Sequence, residues 1–223
     1  MKARSDMNSF LIAKKYHPTL GLAGFFAFLM LLGGCSALPD KPVRPAVYDF
    51  GPGAGAAMAP APAAALAPLL LADIEAPAAV DGSAVLYRLA YADVQQLRPY
   101  AQARWSMPPA QLVRQRLRDQ LSRQRVVLNP GEGPAPFVLR LELEAFAQVF
   151  DTPERSVGLV RLRATLLENP GGRERVLAQR RFEVQRPAPS ADAPGGVRAL
   201  TAATDAVVEE IAQWLAPLTP APR

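Results

Sequence analysis

The clearest pattern in the chain is an alternation of apolar and polar residues between Phe137 and Val149. Every odd position of this segment is apolar. The even positions include four polar residues: Arg140, Glu142, Glu144 and Gln148. A period of two residues is typical of a β-strand with one buried and one solvated face. After a turn at 151–154, residues Val160–Leu166 alternate with the opposite parity, so the two segments predict a long antiparallel hairpin.

The parity of these two strands also predicts how they pair. Their apolar faces coincide when Leu143 lies opposite Ala164, because a shift by one residue would turn one strand over. This register sets Glu144 opposite Arg163 on the outer face, a pair of opposite charge that contributes about 0.2–1 kcal/mol. We therefore interpret the carboxylates of this segment as part of a solvated sheet face rather than as a catalytic cluster.

Shorter patterns predict the remaining elements. Further strands are predicted at 47–50, 69–75, 85–89 and 176–184. A helix is predicted from Pro108-Pro109 to about Gln124, because prolines favour a helix start and apolar residues then recur every four positions. A second helix is predicted from about Gly196 to Leu218, where the apolar spacing alternates between three and four. This order of elements predicts an α+β fold, a single domain with an antiparallel β-sheet and two main helices packed on one face.

The first part of the chain has the layout of an export signal. A basic stretch precedes an apolar run from Leu20 to Leu32, and the run ends in Leu32-Gly33-Gly34-Cys35. As a helix the run would measure about 20 Å, less than the hydrocarbon core of roughly 30 Å. Small residues before a cleavage point are typical of a secretory signal. Cys35 directly after them resembles the lipobox cysteine of bacterial lipoproteins, which receives a diacylglycerol and an acyl chain. The alternative is a short transmembrane anchor with an incidental cysteine.

The resemblance to a lipobox implies a division of the chain. The predicted parts are a removed signal peptide (1–34), a proline-rich tether (35–45), an α+β domain (46–218) that contains a flexible Ala/Pro-rich loop (53–68), and a C-terminal tail (219–223). Lipidation at Cys35 would anchor the chain stably, because several acyl chains hold a protein where one is marginal. Ser36 stands where an aspartate would signal retention in the inner membrane. The resemblance therefore implies an outer-membrane location, on the periplasmic face.

The composition of the predicted mature chain argues against an enzyme. Residues 1–34 hold four of the 25 Lys and Arg residues and one of the 20 Asp and Glu residues, so the mature charge is 21 against 19, or +2. His17, the one histidine of the chain, also lies in this segment. Without histidine or a free thiol, the mature chain has no Ser-His-Asp or Cys-His hydrolase site and no usual zinc site. No cofactor is predicted, and a carboxylate-based cell-wall glycosidase is the one enzyme class that stays open.

Several short motifs, in order, resemble the ABC-type transport auxiliary lipoproteins, which include the PqiC-like lipoprotein partners of MCE-type lipid transport systems. The motifs are Tyr48-Asp49-Phe50-Gly51-Pro52, Tyr87-Arg88, Tyr100, Arg104-Trp105, Pro108-Pro109, Phe146-Ala147-Gln148-Val149-Phe150 and Trp214-Leu215. The family implies a non-enzymatic outer-membrane lipoprotein of a lipid transport system. Its expected partners are an MCE-domain protein that crosses the periplasm and an inner-membrane ABC permease and ATPase complex. A homo-oligomer of the chain is compatible with this interpretation, and no nucleic-acid partner is expected.

One segment carries the candidate site. Tyr87, Arg88, Tyr100, Arg104 and Trp105 are expected to form a contact patch for a partner or for an anionic lipid headgroup, since aromatic residues and arginine are enriched at interfaces. The structural alternative is that Tyr100 and Trp105 fill the edge of the core. The functional alternative to a transport subunit is a structural or assembly lipoprotein that assists an outer-membrane protein without a role in transport.

Overall fold

The structure is a computed structural model, and it describes residues 44–53 and 66–220. The predicted signal peptide, the lipidation at Cys35, most of the tether and most of the Ala/Pro-rich loop lie outside the described residues. Among the helices of the described ranges, none is long and apolar enough to cross a membrane.

The described chain forms one mixed sheet and two main helices. The strands are β1 (Ala46–Tyr48), β2 (Leu69–Glu75), β3 (Ala84–Leu89), β4 (Leu97–Trp105), β5 (Val127–Leu128), β6 (Phe137–Phe150), β7 (Ser156–Glu168) and β8 (Arg175–Pro187). The helices are α1 (Pro109–Leu121) and α2 (Ala193–Leu215), and short 3-10 turns lie at Pro170–Gly172 and Ala216–Leu218. β4 and β5 fall in segments for which the sequence pattern predicted no strand.

The long strand β6 organises the sheet. β7 pairs antiparallel with β6 along its length, and β8 pairs antiparallel with β7. On its other edge β6 pairs in parallel with β2 along its first half and with β3 along its last residues. β4 is antiparallel to β3, β1 is parallel to β4, and β5 is parallel to β2. Four of these seven pairings are therefore parallel.

The α+β fold is confirmed, whereas the antiparallel sheet is only partly right. The predicted hairpin exists as β6 and β7, which a short turn connects. Alternation shows which side chains of a strand are buried, but it does not show the direction of the neighbouring strand. β2 and β3 precede β6 by much longer connections, which permit parallel pairing.

β6 contains a bulge at Glu144 that the alternation does not reveal. Before the bulge Leu143 lies opposite Leu162, two residues away from the predicted partner Ala164. The extra residue reverses the facing of all later side chains of the strand. Gln148, which the parity assigned to the outer face, is therefore fully buried.

Charged side chains cover the outer face of the sheet, as predicted. Glu144 forms ion pairs with Arg163 and with Arg181, the latter at 2.9 Å between Oε2 and Nε. Arg163 also lies 3.3 Å from a carboxylate oxygen of Glu142. Partial burial opposes ionisation of Glu144, but hydrogen bonds from the two arginines and their charges outweigh it and lower its pKa. The long arginine side chains thus make the predicted pair in spite of the shifted register.

Both helices cover the inner face of the sheet. α1 begins with Pro109 at its first helical position, where a missing N–H costs nothing. α2 begins after Asp192, whose Oδ1 accepts a hydrogen bond from Gly195 N at 2.7 Å. α2 packs on β7 and β8, α1 packs on β2, and the helices contact each other. They end at Leu121 and Leu215, each three residues before the predicted end.

Candidate functional site

Trp105 lies in the core at the end of β4. Its side chain is 1% exposed, and its ring meets Phe50 and Phe146 edge-on, at centroid distances of 5.5 and 5.6 Å. Nε1 of Trp105 is buried without a hydrogen-bond partner. The packing interpretation of Trp105 is thus confirmed, and this residue supports the site from beneath.

Tyr87 and Tyr100 form the aromatic centre of the site. Their rings lie 4.5 Å apart between centroids, with an angle of 37° between the planes. The Tyr100 hydroxyl donates a hydrogen bond to Oε1 of Gln148 at 2.8 Å, and Nε2 of Gln148 donates to Oγ of Ser156 at 2.7 Å. Burial, with smaller contributions from Tyr87 and Asp192, raises the pKa of Tyr100 to about 12. Tyr100 therefore stays a neutral donor at physiological pH.

Gln148 is the residue of this site that the sequence pattern missed. It is fully buried, although its even position in β6 predicted exposure. Its place depends on Gly196 of α2, because a Cβ at Gly196 would lie 2.1 Å from Oε1 of Gln148. The only signal in the sequence is a polar residue among the apolar neighbours Phe146–Phe150, which would have been informative had the bulge been known.

The two arginines of the predicted patch lie on the other face of the sheet. Arg88 directly follows Tyr87, and Arg104 directly precedes Trp105. Because successive side chains of a strand point to opposite faces, both arginines face away from these aromatic rings. Arg88 is half-buried and donates a hydrogen bond to the carbonyl of Val94. Arg104 is exposed beside Val47 of β1, which is 53% exposed. Among the described residues, none forms an ion pair with Arg104.

The structure therefore divides the five predicted contact residues into three positions. Tyr87 and Tyr100 stack on the inner face, Trp105 is enclosed in the core, and the two arginines lie on the outer face. Arg104 is the one of the five that is exposed without an ion-pair partner among the described residues. It is thus the member best placed to meet another molecule.

The arginines of α1 hold neighbouring chain segments and are not free surface charges. Arg114 donates to the carbonyls of Leu71 and Ala72 at 3.0 and 3.2 Å. Arg116 donates to the carbonyl of Phe50 at 2.7 Å, and its Nε lies 3.3 Å from a carboxylate oxygen of Asp205. These side chains fix the parts of the chain around α1.

Two open clefts flank the first turns of α1, and Met107 and Gln115 line both. One has a volume of about 480 Å³ and is bounded by the segment 49–53. The other has a volume of about 670 Å³ and is bounded by Asp73 and Asp81. In the described ranges, no three His, Cys, Asp or Glu side chains lie close enough together to hold a metal ion.

Comparisons with known proteins place the fold and the family. The crystal structure of protein XCC0632 from Xanthomonas campestris is 21% identical with a TM-score of 0.62, and the match covers 76% of this chain and 94% of that chain. The crystal structure of an uncharacterized protein is 18% identical with a TM-score of 0.56, and the match covers 78% and 99% of the two chains. At these identities the two structures show a shared fold alone.

No curated protein matches the chain significantly. The family model described as ABC-type transport auxiliary lipoprotein component matches residues 48–212. This range includes every strand of the sheet except the first two residues of β1, all of α1, and α2 up to Ala212, and it is well over half of the chain. The resemblance of the short motifs is therefore confirmed, and the chain belongs to the ABC-type transport auxiliary lipoprotein family.

Proposed function

We propose that the protein is an outer-membrane lipoprotein that serves as a non-enzymatic auxiliary subunit of an ABC/MCE-type system for transport of lipid or other hydrophobic molecules between membranes. Its work is to dock, from its lipid anchor at Cys35, to an MCE-domain partner that crosses the periplasm. The family match over residues 48–212 is the observation that carries this proposal. The lipobox-like sequence before Cys35 supports the anchor, and Ser36 supports the outer membrane.

The carboxyl groups support a role without catalysis. A general acid that works near neutral pH needs a carboxyl group whose pKa is raised. The described carboxyl groups with a displaced pKa all have a lowered one: Glu132, Glu144, Asp151, Glu183 and Asp192. They are thus held as carboxylates in caps, turns and cross-strand ion pairs.

The outer face of β1 and β4 supports a docking surface. Arg104 and Val47 lie side by side there, and both are exposed. Beneath them Trp105 is fixed between two phenylalanine rings, so the surface is carried by a rigid base. Arginine is enriched at the energetic centres of protein interfaces. Tyr87 and Tyr100 act indirectly in this proposal, by fixing β3 and β4 from the inner face.

A crosslinking pull-down from native membranes tests the proposal. The wild-type chain is expected to recover an MCE-domain protein, and Cys35→Ala is expected to lose or weaken this recovery because the chain is no longer anchored. Arg104→Glu is expected to reduce recovery roughly tenfold or more, since it reverses a charge at the proposed centre. Arg123→Glu is the matched control, because Arg123 is exposed just beyond α1.

Two results would count against the proposal. Recovery of outer-membrane proteins or cell-wall components without an MCE partner would contradict a transport role and favour a structural or assembly lipoprotein. Equal recovery with Arg104→Glu and with Arg123→Glu would keep the transport role but move the docking surface away from Arg104. Circular dichroism of each variant shows whether the fold is intact.

A further inference from the structure

The turn between β3 and β4 exposes two large apolar side chains. Tyr91 is 48% exposed and Val94 is 64% exposed. The turn itself is well bonded, because Asp93 N donates to the carbonyl of Leu89 at 2.8 Å and the Arg88 guanidinium donates to the carbonyl of Val94. Both apolar side chains are therefore held in water by an ordered turn.

The direction of β1 shows from which side the chain reaches the domain. β1 runs parallel to β4, with Ala46 opposite Ala103. The backbone before Ala46 therefore lies toward the start of β4, which directly follows the β3–β4 turn. From the proposed anchor at Cys35 to Ala46 the chain spans at most about 40 Å. The turn thus lies at the end of the sheet from which the described chain enters β1.

The hairpin of β3 and β4 is basic. Arg88 and Arg98 lie at the strand ends that border the turn, and Asp93 is the one acidic residue between them. The carboxylate of that aspartate, Asp93, is engaged within the turn, where it accepts a hydrogen bond from Gln95 N at 2.9 Å. Tyrosine, a second apolar side chain and nearby arginines form the combination that suits the boundary between lipid headgroups and acyl chains. Anionic headgroups add attraction for the arginines.

We propose that the β3–β4 turn is the membrane-facing tip of the domain and rests Tyr91 and Val94 on an anionic phospholipid leaflet. The proposal rests on the lipid anchor of the proposed function and adds a second, weaker contact to it. The anchor raises the effective concentration of the turn at the bilayer, so a contact that is too weak alone becomes populated. This contact sets the orientation of the domain and leaves the surface around Arg104 at the side, open to a partner.

Quenching of tryptophan fluorescence by brominated lipid tests the contact. Residues 35–223 are coupled through Cys35, the one cysteine of the chain, to a maleimide lipid in vesicles of phosphatidylethanolamine and brominated phosphatidylglycerol. The Tyr91→Trp variant is expected to lose about half of the added emission, because an interfacial side chain lies within several Å of the bromine atoms. The Val176→Trp variant is the control, because Val176 is 61% exposed and pairs with Leu167 at the opposite end of the sheet.

The outcomes of this experiment either support or overturn the membrane contact of the turn. Quenching of the Tyr91→Trp variant alone, stronger with phosphatidylglycerol than with phosphatidylcholine, supports the proposal. Equal emission of both variants with and without bromine overturns it, and so does quenching of the Val176→Trp variant alone. A change in the emission of the Tyr91→Trp variant that occurs only after a protein partner is added also overturns it, in favour of a protein contact. Chemical coupling makes the result independent of the pull-down, so a negative result here leaves the docking function standing.

Discussion

Gln148 is a buried polar residue that connects Tyr100 of β4 with Ser156 of β7. Its amide accepts a hydrogen bond from Tyr100 and donates one to Ser156, and its side chain occupies the space that Gly196 leaves open. A buried amide is tolerated only where its hydrogen bonds are made. The Tyr100 hydroxyl is the partner that can be removed without leaving a large cavity.

Tyr100→Phe is expected to lower the free energy of unfolding by about 1–3 kcal/mol, because Oε1 of Gln148 loses its donor in a buried place. Urea unfolding followed by circular dichroism measures the change. Tyr91→Phe is the matched control, since Tyr91 is exposed, and it is expected to leave stability unchanged. A Tyr100→Phe variant as stable as the wild type would show that water or a rearranged side chain replaces the bond.

The same variant has a predicted pH dependence. The pKa of Tyr100 is about 12 in the folded chain and 10.0 in its ordinary state. As pH rises above 10 the unfolded chain loses this proton first, so the stability that the neutral hydroxyl provides is complete below pH 10 and is lost toward pH 12. The difference between wild type and Tyr100→Phe should therefore narrow over this range.

At the scale of secondary structure, α2 packs closely on β7. A Cβ at Gly158 of β7 would lie 2.5 Å from backbone atoms of Ala199 and Leu200. Backbone atoms cannot turn aside as a side chain can, so α2 would have to move as a whole. α2 also packs on β8, which joins the sheet through β7 alone. The separation of these elements therefore depends on a glycine.

Gly158→Ala is expected to lower the free energy of unfolding by about 1–3 kcal/mol through overpacking. Gly82→Ala is the control, because a Cβ there meets no atom within 4 Å. At this position alanine is expected to be neutral or to stabilise by about 0.4–1 kcal/mol, since it restricts the unfolded chain. Equal stability of the two variants in thermal and urea unfolding would refute the close contact.

The helices and strands were predictable where a regular pattern of apolar and polar residues, or a proline at a helix start, marks them. The alternation around Leu143 and Leu162 predicted both strands of the long hairpin and its charged face, and Pro109 predicted the start of α1. The bulge at Glu144 was not predictable, because it adds one residue without any change in composition. The side chains of β6 after Glu144, including the buried Gln148, were therefore assigned to the wrong face of the sheet.

The candidate site was predictable by residue type but not by arrangement. Tyr87, Tyr100 and Trp105 were expected together, and the structure does bring the two tyrosines into contact. β4 was missed because Pro99 and small residues interrupt its alternation. Without β4 as a strand, the sequence could not show that Arg104 faces away from Trp105.

For the molecule as a whole, Arg116 joins three parts of the chain. Its guanidinium donates to the carbonyls of Phe50 and Gly51, at 2.7 and 3.1 Å, and its Nε lies 3.3 Å from Asp205 of α2. The guanidinium also lies 5.8 Å from the centre of the Phe50 ring, which suits a cation–π contact. The segment that follows β1 is thereby fastened to both helices.

Arg116→Ala is expected to lower the free energy of unfolding by about 1–3 kcal/mol, because two carbonyls lose a donor. A local effect is also expected in hydrogen exchange. The amide of Ser106 donates to the carbonyl of Tyr48 at 2.7 Å, and its exchange should become faster as β1 loosens. The control is Arg123→Ala, for which a change within about 0.5 kcal/mol is expected. Unchanged protection of Ser106 in Arg116→Ala would show that β1 is held by its strand pairing alone.

The parallel pairing of β1 with β4 also decides how the domain would bear a mechanical load. With an anchor at Cys35 and a partner that moves, tension in the tether reaches the folded chain at Ala46 and acts along the axis of β1. The hydrogen bonds between β1 and β4 run across that axis, so they would be loaded together and in shear, whereas a strand pulled sideways releases its bonds one by one. Arg116, which binds the carbonyls of Phe50 and Gly51 just after β1, would add a second hold on the strand under such a load.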